Sequence, residues 1–259
     1  MKDIATISLL NDGVVKIVYL AKWKFTYITV SKLRHSSLQE DFNHNLLMLK
    51  SLSNSNQVTE LYGYCNNTYL ITKYYPYGDA LNVPILLNNM PSRSKCDICF
   101  KFCVSYAEVI NYLHSSPIGV RVMCDANSLQ KLLSQFLITN SLTLVANDLD
   151  ALPLVDDNGI KCGKREIKGT FAAPEQLWPF PNETFDDEKM PFYDEKVDIW
   201  KMPDVCLWFL SFCSNQRLID HLDSIHSRCK SKEPRKRPSA REVLEHYKAA
   251  AFIFKMNLN

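Results

Sequence analysis

Two carboxylates two residues apart, Asp148 and Asp150, close an aliphatic run in "LTLVANDLDALPL" (residues 142–154). Side chains of this type can hold a divalent metal ion. At a strand end they can equally cap a turn by accepting backbone N–H groups. The choice depends on which other ligands the chain can bring to the same place. The nine cysteines offer a second chemistry. Cys96, Cys99 and Cys103 stand at i, i+3 and i+7, so they share one face of the helix expected over "CDICFKFCVSYAEVINYLH". A zinc site would need a partner pair at metal spacing, and none follows, so the three are read as small core residues. Two Asn-x-Thr triplets, at Asn66 and Asn182, become acceptors for glycans only in a secretory compartment.

The composition narrows the class. A chain of 259 residues can bury a sizeable core, as one large domain or two lobes. Hydrophobic residues make up 46% and charged residues 22%, values that argue for a folded chain. A formal net charge of +2 gives no electrostatic case for nucleic acid. No apolar run reaches the ~18–20 residues of a membrane span. The opening "MKDIATISLLNDG" lacks the basic start and sustained apolar core of a signal peptide. This reads as a soluble piece, and any anchor would lie upstream of it.

The elements that must position these residues follow from pattern. "VVKIVYLAKW" and "FTYITVSKL" are β-rich and separated by a short basic corner. "SSLQEDFNHNLLMLKSL" places Phe42, Leu46, Leu49 and Leu52 on one helical face, with Ser36 or Ser37 as the expected N-cap. "VTELYGYCNNTYLITKYY" is a hairpin turning at Asn66-Asn67, and "YPYGDAL" supplies a hinge. Beyond it come a long amphipathic helix ending in "INYLH", short strands to residue 154 and a polar, Pro-rich stretch over 155–195. "DIWKMPDVCLWFLSF" is apolar nearly all round, the mark of a central helix, and "SAREVLEHYKAAAFIFK" closes the chain as an amphipathic one. A small β-rich lobe over residues 1–77 and a larger helical lobe over 78–259 would form an α+β, two-lobed architecture with a ligand-binding cleft between them.

The order of short motifs resembles the protein-kinase fold. "YYPYGDAL" falls at the hinge, "YLHSS" at the end of a helix and "MCD" at the entry to a catalytic loop. "NDLD" stands for Asp-Phe-Gly, "AAPE" for Ala-Pro-Glu, "VDIW" lies in a buried helix and "EPRKRPSAREVL" comes near the end. More narrowly, "VMCDANSL", "VANDLDALPLV", "KCGKRE", "APEQLWP" and "YDEKVDIWK" resemble the protein O-mannose kinases over residues 8–250. That resemblance implies Mg2+-ATP (Mn2+ as a substitute) and transfer of phosphate to the 6-hydroxyl of mannose. The acceptor would be a GalNAc-GlcNAc-mannose glycan on a glycoprotein such as alpha-dystroglycan. It also implies a monomer in the endoplasmic reticulum lumen, with a membrane anchor upstream of this chain.

Carried over residue by residue, the resemblance makes Asp125 the acceptor of the substrate hydroxyl's proton and Asp148 a metal ligand. The amide ligand five residues after Asp125 would be Gln130. The residue preceding the aliphatic strand is Gln135, which is preferred and implies a longer loop. The phosphate-binding lysine of the third strand is replaced by Ser31 in "ITVS". Lys32 follows but points to the other face, so the role passes to Lys16 in "DGVVKIVYL". Gly13 is the one glycine left in the phosphate-facing loop "LLNDGVVK". The helix Glu that pairs with the lysine is absent. Asn45 stands at its place, and Glu40, Asp41 or no residue substitutes. Asp150 either assists the metal or faces solvent.

Glu175 and Arg237 are expected to form a buried ion pair with Trp178 and Pro179 beside them, and Asp198 to brace the catalytic loop. Cys124 replaces the Arg that precedes the catalytic Asp, and the activation segment carries Cys162. A disulfide between them would pin that segment without phosphorylation, the alternative being two unpaired thiols. The thin glycine loop and missing Glu leave a silent pseudokinase that binds a glycan or protein as the competing reading.

Overall fold

The computed structural model describes residues 4–88 and 90–258. Strands β1 (Ile4–Asp12), β2 (Lys16–Trp23) and β3 (Thr26–Leu33) open the chain. Helix α1 (Gln39–Leu52) follows, then β4 (Leu61–Cys65) and β5 (Tyr69–Lys73). The five strands pair antiparallel in the order β1-β2-β3-β5-β4. The hairpin turn falls at Asn66-Asn67 as expected, both with φ of 50°. Asn tolerates that left-handed conformation and so favours this turn. Along β3, Ser31 is buried while Lys32 is exposed against the Tyr69 ring. Strand β1 is an element the periodicity reading did not separate. It is exposed along both faces from Ala5 onward, so it carries no inside-outside alternation.

Helix α1 buries Phe42, Leu46, Leu49 and Leu52 as its spacing requires. Its start differs from expectation. Ser36–Leu38 form a 3-10 turn, Leu38 occupies the cap position, and no side chain caps the helix. The turn satisfies the entry backbone itself, because the Gln39 N–H donates to the Ser36 carbonyl, and a serine cap is not needed. At the hinge Gly78 has φ of 71°, and a Cβ there would lie 2.4 Å from Asn82 Nδ2, so both conformation and space demand glycine.

The helical part comprises α2 (Val83–Leu87), α3 (Ser92–His114), α4 (Leu129–Leu133), the short hairpin β6 (Phe136–Ile138) and β7 (Leu144–Ala146), α5 (Lys196–Leu210), α6 (Gln216–Cys229) and α7 (Ala240–Ile253). Helices α3, α5 and α7 share one core in which Phe102 packs on Phe209 and Phe100 on Tyr247. Helix α7 begins at a reciprocal cap between Ser239 and Glu242. The reading of Cys103 as an unpaired core residue is corrected: it is joined to Cys206, because α3 and α5 bring their Cα atoms to 4.7 Å. Cys96 and Cys99 are free thiols.

The two parts are stitched at the rear by backbone. Val58 pairs with Ala146 in parallel fashion. The Thr59 N–H donates to the Ala146 carbonyl at 2.9 Å, and the Ala146 N–H to the Gln57 carbonyl at 2.8 Å. The result is the expected α+β, two-lobed kinase-like fold.

Candidate active site

Strand β7 runs straight into Asn147 and Asp148, which places both acidic residues of "DLD" where sheet and helices face one another. Lys16, the first residue of β2, reaches across so that its Nζ lies 2.8 Å from Asp148 Oδ1. From the other side comes Asp125. Single carboxylate oxygens of Asp125, Asp148 and Asp150 all lie within 4.8 Å of one another. Among the described residues, no other His, Cys, Asp and Glu side chains form such a group. Asp150 therefore faces the other two carboxylates rather than bulk solvent.

A cation that the sequence reading missed completes the cluster. Lys131 of α4 places Nζ 2.7 Å from Asp125 Oδ2. Helix α4 is the extra length in the catalytic loop. Ser128 starts it by accepting from the Lys131 N–H at 3.2 Å, a capping role that a serine just ahead of the leucine run could have signalled. Gln130 is exposed on α4. Gln135, beyond the helix, is buried, and its Nε2 donates to the Asp125 carbonyl. Its Oε1 is buried with no partner. Three converging carboxylates are hard oxygen donors that fit Mg2+ or Mn2+, and the unpartnered Oε1 of Gln135, anchored on the Asp125 backbone, is a further acceptor of the same kind.

Charge and burial set the protonation states here. Burial opposes ionisation of Asp148, but the adjacent Lys16 ammonium, with Lys131 beyond it, holds its carboxyl below the usual range. Asp150 is pushed up to about 6, first by burial and then by repulsion from Asp148 and Asp125. Burial works against the charge on Lys131, but its bond to Asp125 and the field of all three carboxylates raise it overall.

The sheet side is sparer. The Gly13 N–H donates to the Lys16 carbonyl at 3.1 Å, and the Gly13 carbonyl accepts from Arg34 at 3.0 Å. Its amide thus closes the hairpin rather than pointing outward. Glu40 and Asp41 are exposed, and the partner of Lys16 is Asp148 itself. Asn45, at the place of the missing Glu, holds the loop instead. Its Oδ1 accepts from the Leu149 N–H at 3.1 Å, inside the Asp-Leu-Asp.

Behind the site, Asp198 accepts from the Met123 N–H and pairs with His114, each at 3.2 Å, bracing the loop that bears Asp125. Arg237 grips Glu175 with two bonds, at 2.5 and 2.7 Å. The indole beside that guanidinium is Trp200, 5.0 Å away, while Trp178 packs on Phe180 and Phe185. Trp178 and Trp200 both pack against the cluster that includes Val122, Ile160, Met190 and Val197, and Pro179 is exposed. Cys124 and Cys162 are joined, with Cα atoms 5.0 Å apart, so the residue preceding Asp125 is tied to the segment that follows Asp150.

A sheet lysine held over clustered carboxylates at the junction of two lobes defines a kinase-class phosphotransferase. No protein-family model matches the chain. Curated proteins do. The Protein O-mannose kinase of Gallus gallus is 43% identical over 255 residues, covering 95% of this chain and 72% of that protein. That of Homo sapiens is 42% identical over 253 residues, with the same coverage. That of Xenopus laevis is 43% identical over 263 residues, covering 98% and 74%. This chain belongs to the protein O-mannose kinase family.

Proposed function

We propose that the chain is an active kinase acting on the 6-hydroxyl of protein-linked mannose. Its acceptor would be a GalNAc-GlcNAc-mannose glycan on a glycoprotein such as alpha-dystroglycan. The observation that carries the reading is the convergence of Asp125, Asp148 and Asp150 within 4.8 Å, with Lys16 and Lys131 bonded to two of them. The names of the relatives support the mannose acceptor. In this reading Asp148 and Gln135 hold Mg2+ or Mn2+, with Asp150 as a further carboxylate, and Lys16 serves the phosphates. Bound Mg2+-ATP supplies the phosphoryl group, with the ion neutralising charge on the phosphate oxygens.

The chain's own residues position and move a proton. Asp125 takes the proton of the attacking hydroxyl. Lys131 holds one oxygen of Asp125, leaving the other for the acceptor. Asp198 and the Cys124–Cys162 bond fix the backbone on either side of Asp125. The two disulfides and the exposed sequons Asn66 and Asn182 support an endoplasmic reticulum lumen as the working compartment. A silent glycan-binding reading is favoured by one observation, the Gly13 amide closed inside its own hairpin.

The test is incubation with Mg2+-ATP and a β-GalNAc–β-GlcNAc–mannose glycan, with phosphate on mannose read by mass spectrometry. Transfer is expected, and Asp125→Asn should slow it by ~10²–10⁴-fold. Glycan binding with no transfer would leave the silent reading standing.

A further inference from the structure

The tip of the hairpin between β2 and β3 is "KWKFTY" (residues 22–27). Phe25 is 97% exposed, Tyr27 53% and Trp23 41%. Tyr74 lies 6.3 Å from Tyr27, extending the aromatic surface to the next segment. Aromatic residues with Lys22 and Lys24 between them do not belong to the carboxylate site. Among the described residues neither lysine is ion-paired. Lys22 lies over the Tyr27 ring and Lys24 over the Trp23 ring, at 6.0 and 5.3 Å. The turn itself carries a cost. Lys24 has φ of 55°, a conformation that glycine adopts freely and lysine does not. A charged side chain is thus held beside a solvent-exposed phenylalanine at the turn between β2 and β3.

We propose that this tip docks on an anionic lipid surface. Phe25 enters the interface, Trp23 and Tyr27 lie at headgroup level, and Lys22 and Lys24 meet the lipid phosphates and carboxylates. The chemistry selects that occupant. Tryptophan and tyrosine favour the membrane–water boundary, and clustered lysines next to them are drawn to anionic headgroups. A contiguous exposed apolar patch marks an interaction surface, and unpaired cations around it specify a negatively charged one. No helix among the described residues is long and apolar enough to cross a membrane; the contact made by this tip itself is interfacial.

The test is co-sedimentation of the chain with vesicles of phosphatidylcholine alone and of phosphatidylcholine mixed with phosphatidylserine at roughly four to one. Binding is expected to the mixed vesicles, weakening with salt, with quenching of tryptophan emission by lipids brominated along their chains. Phe25→Asp should lower the partition coefficient at least ~10-fold. Lys24→Gly, which relieves the turn's left-handed backbone, should reduce the preference for phosphatidylserine with thermal stability no lower than before. Undetectable binding to mixed vesicles, or binding unchanged by Phe25→Asp, would overturn the proposal.

Discussion

The sheet lobe and the helical lobe meet the candidate site with unequal means. From the sheet comes one lysine, Lys16, set at the start of a strand next to a hairpin whose glycine amide is already used. From the helical side come three carboxylates and Lys131. Behind them stand the Asp198 brace, the Glu175–Arg237 pair and two disulfides. Both sides differ from the ordinary kinase sequence pattern. The sheet side has Ser31 and Asn45 where that pattern has a lysine and a glutamate, and the helical side has Cys124 in place of an arginine, tied to Cys162. The clustered charge is held by a buried, covalently tied frame, whereas the sheet contributes a single lysine to it.

If that contrast is right, the largest losses of stability come from the helical frame. Arg237→Ala leaves the partly buried Glu175 carboxylate without its fork and exposes a void beside Trp200. A loss of about 3–5 kcal/mol in denaturant unfolding is expected. A loss below ~1 kcal/mol, the range of surface pairs, would break the comparison. Cys124→Ser with Cys162→Ser opens a covalent loop spanning 38 positions and should cost about 2–4 kcal/mol. The melting temperature of the unreduced protein reads this out. The double variant should also lose phosphate transfer more steeply than its stability alone explains, because Cys124 adjoins Asp125.

Acid sharpens the contrast, since the helical frame holds a buried histidine. His226, bonded to Tyr247 at 2.8 Å, has its pKa lowered to about 4 by burial and then by His246 and Lys230. Its unfolded value is near 6.5, so between those limits the unfolded chain binds the extra proton. Stability should therefore fall as pH drops from about 6.5 towards 4, by on the order of 2–3 kcal/mol. His226→Gln should flatten that slope in urea titrations at several pH values. The smallest expected effect is at Asn45, which with His44 ties α1 to the acidic loop. Asn45→Ala orphans the buried Leu149 N–H and should cost about 1–3 kcal/mol. Hydrogen exchange at Leu149 should quicken, and an unchanged rate would show that Asn45 is not what protects this amide.

What the sequence made legible divides along the same line. Asp125, Asp148, Glu175, Asp198 and Arg237 sit in short motifs whose order survives in the chain, and the structure brings the first two together and pairs the others. The Asn66-Asn67 turn and the buried face of α1 follow from local chemistry and periodicity. Less could be read where a contact depends on an inserted element. Lys131 reaches Asp125 only because α4 folds back over the loop, and nothing in "SLQKLL" states where that helix will lie. Asp150 was ambiguous for the same reason, since its direction depends on how Leu149 is held. Cys103 shares a helical face with Cys96 and Cys99, and only the packing of α5 singles it out for Cys206. Strand β1 has no buried face, so its pattern has no period to find.

The backbone bridge in which Thr59 and Gln57 bond to Ala146 ties the sheet lobe to β7 two residues before Asp148. Lys16 meets that same Asp148 from β2 at 2.8 Å. One carboxylate thus stands where a backbone tie and a side-chain tie between the lobes meet, and the lone Lys16–Asp148 contact is the more easily parted of the two.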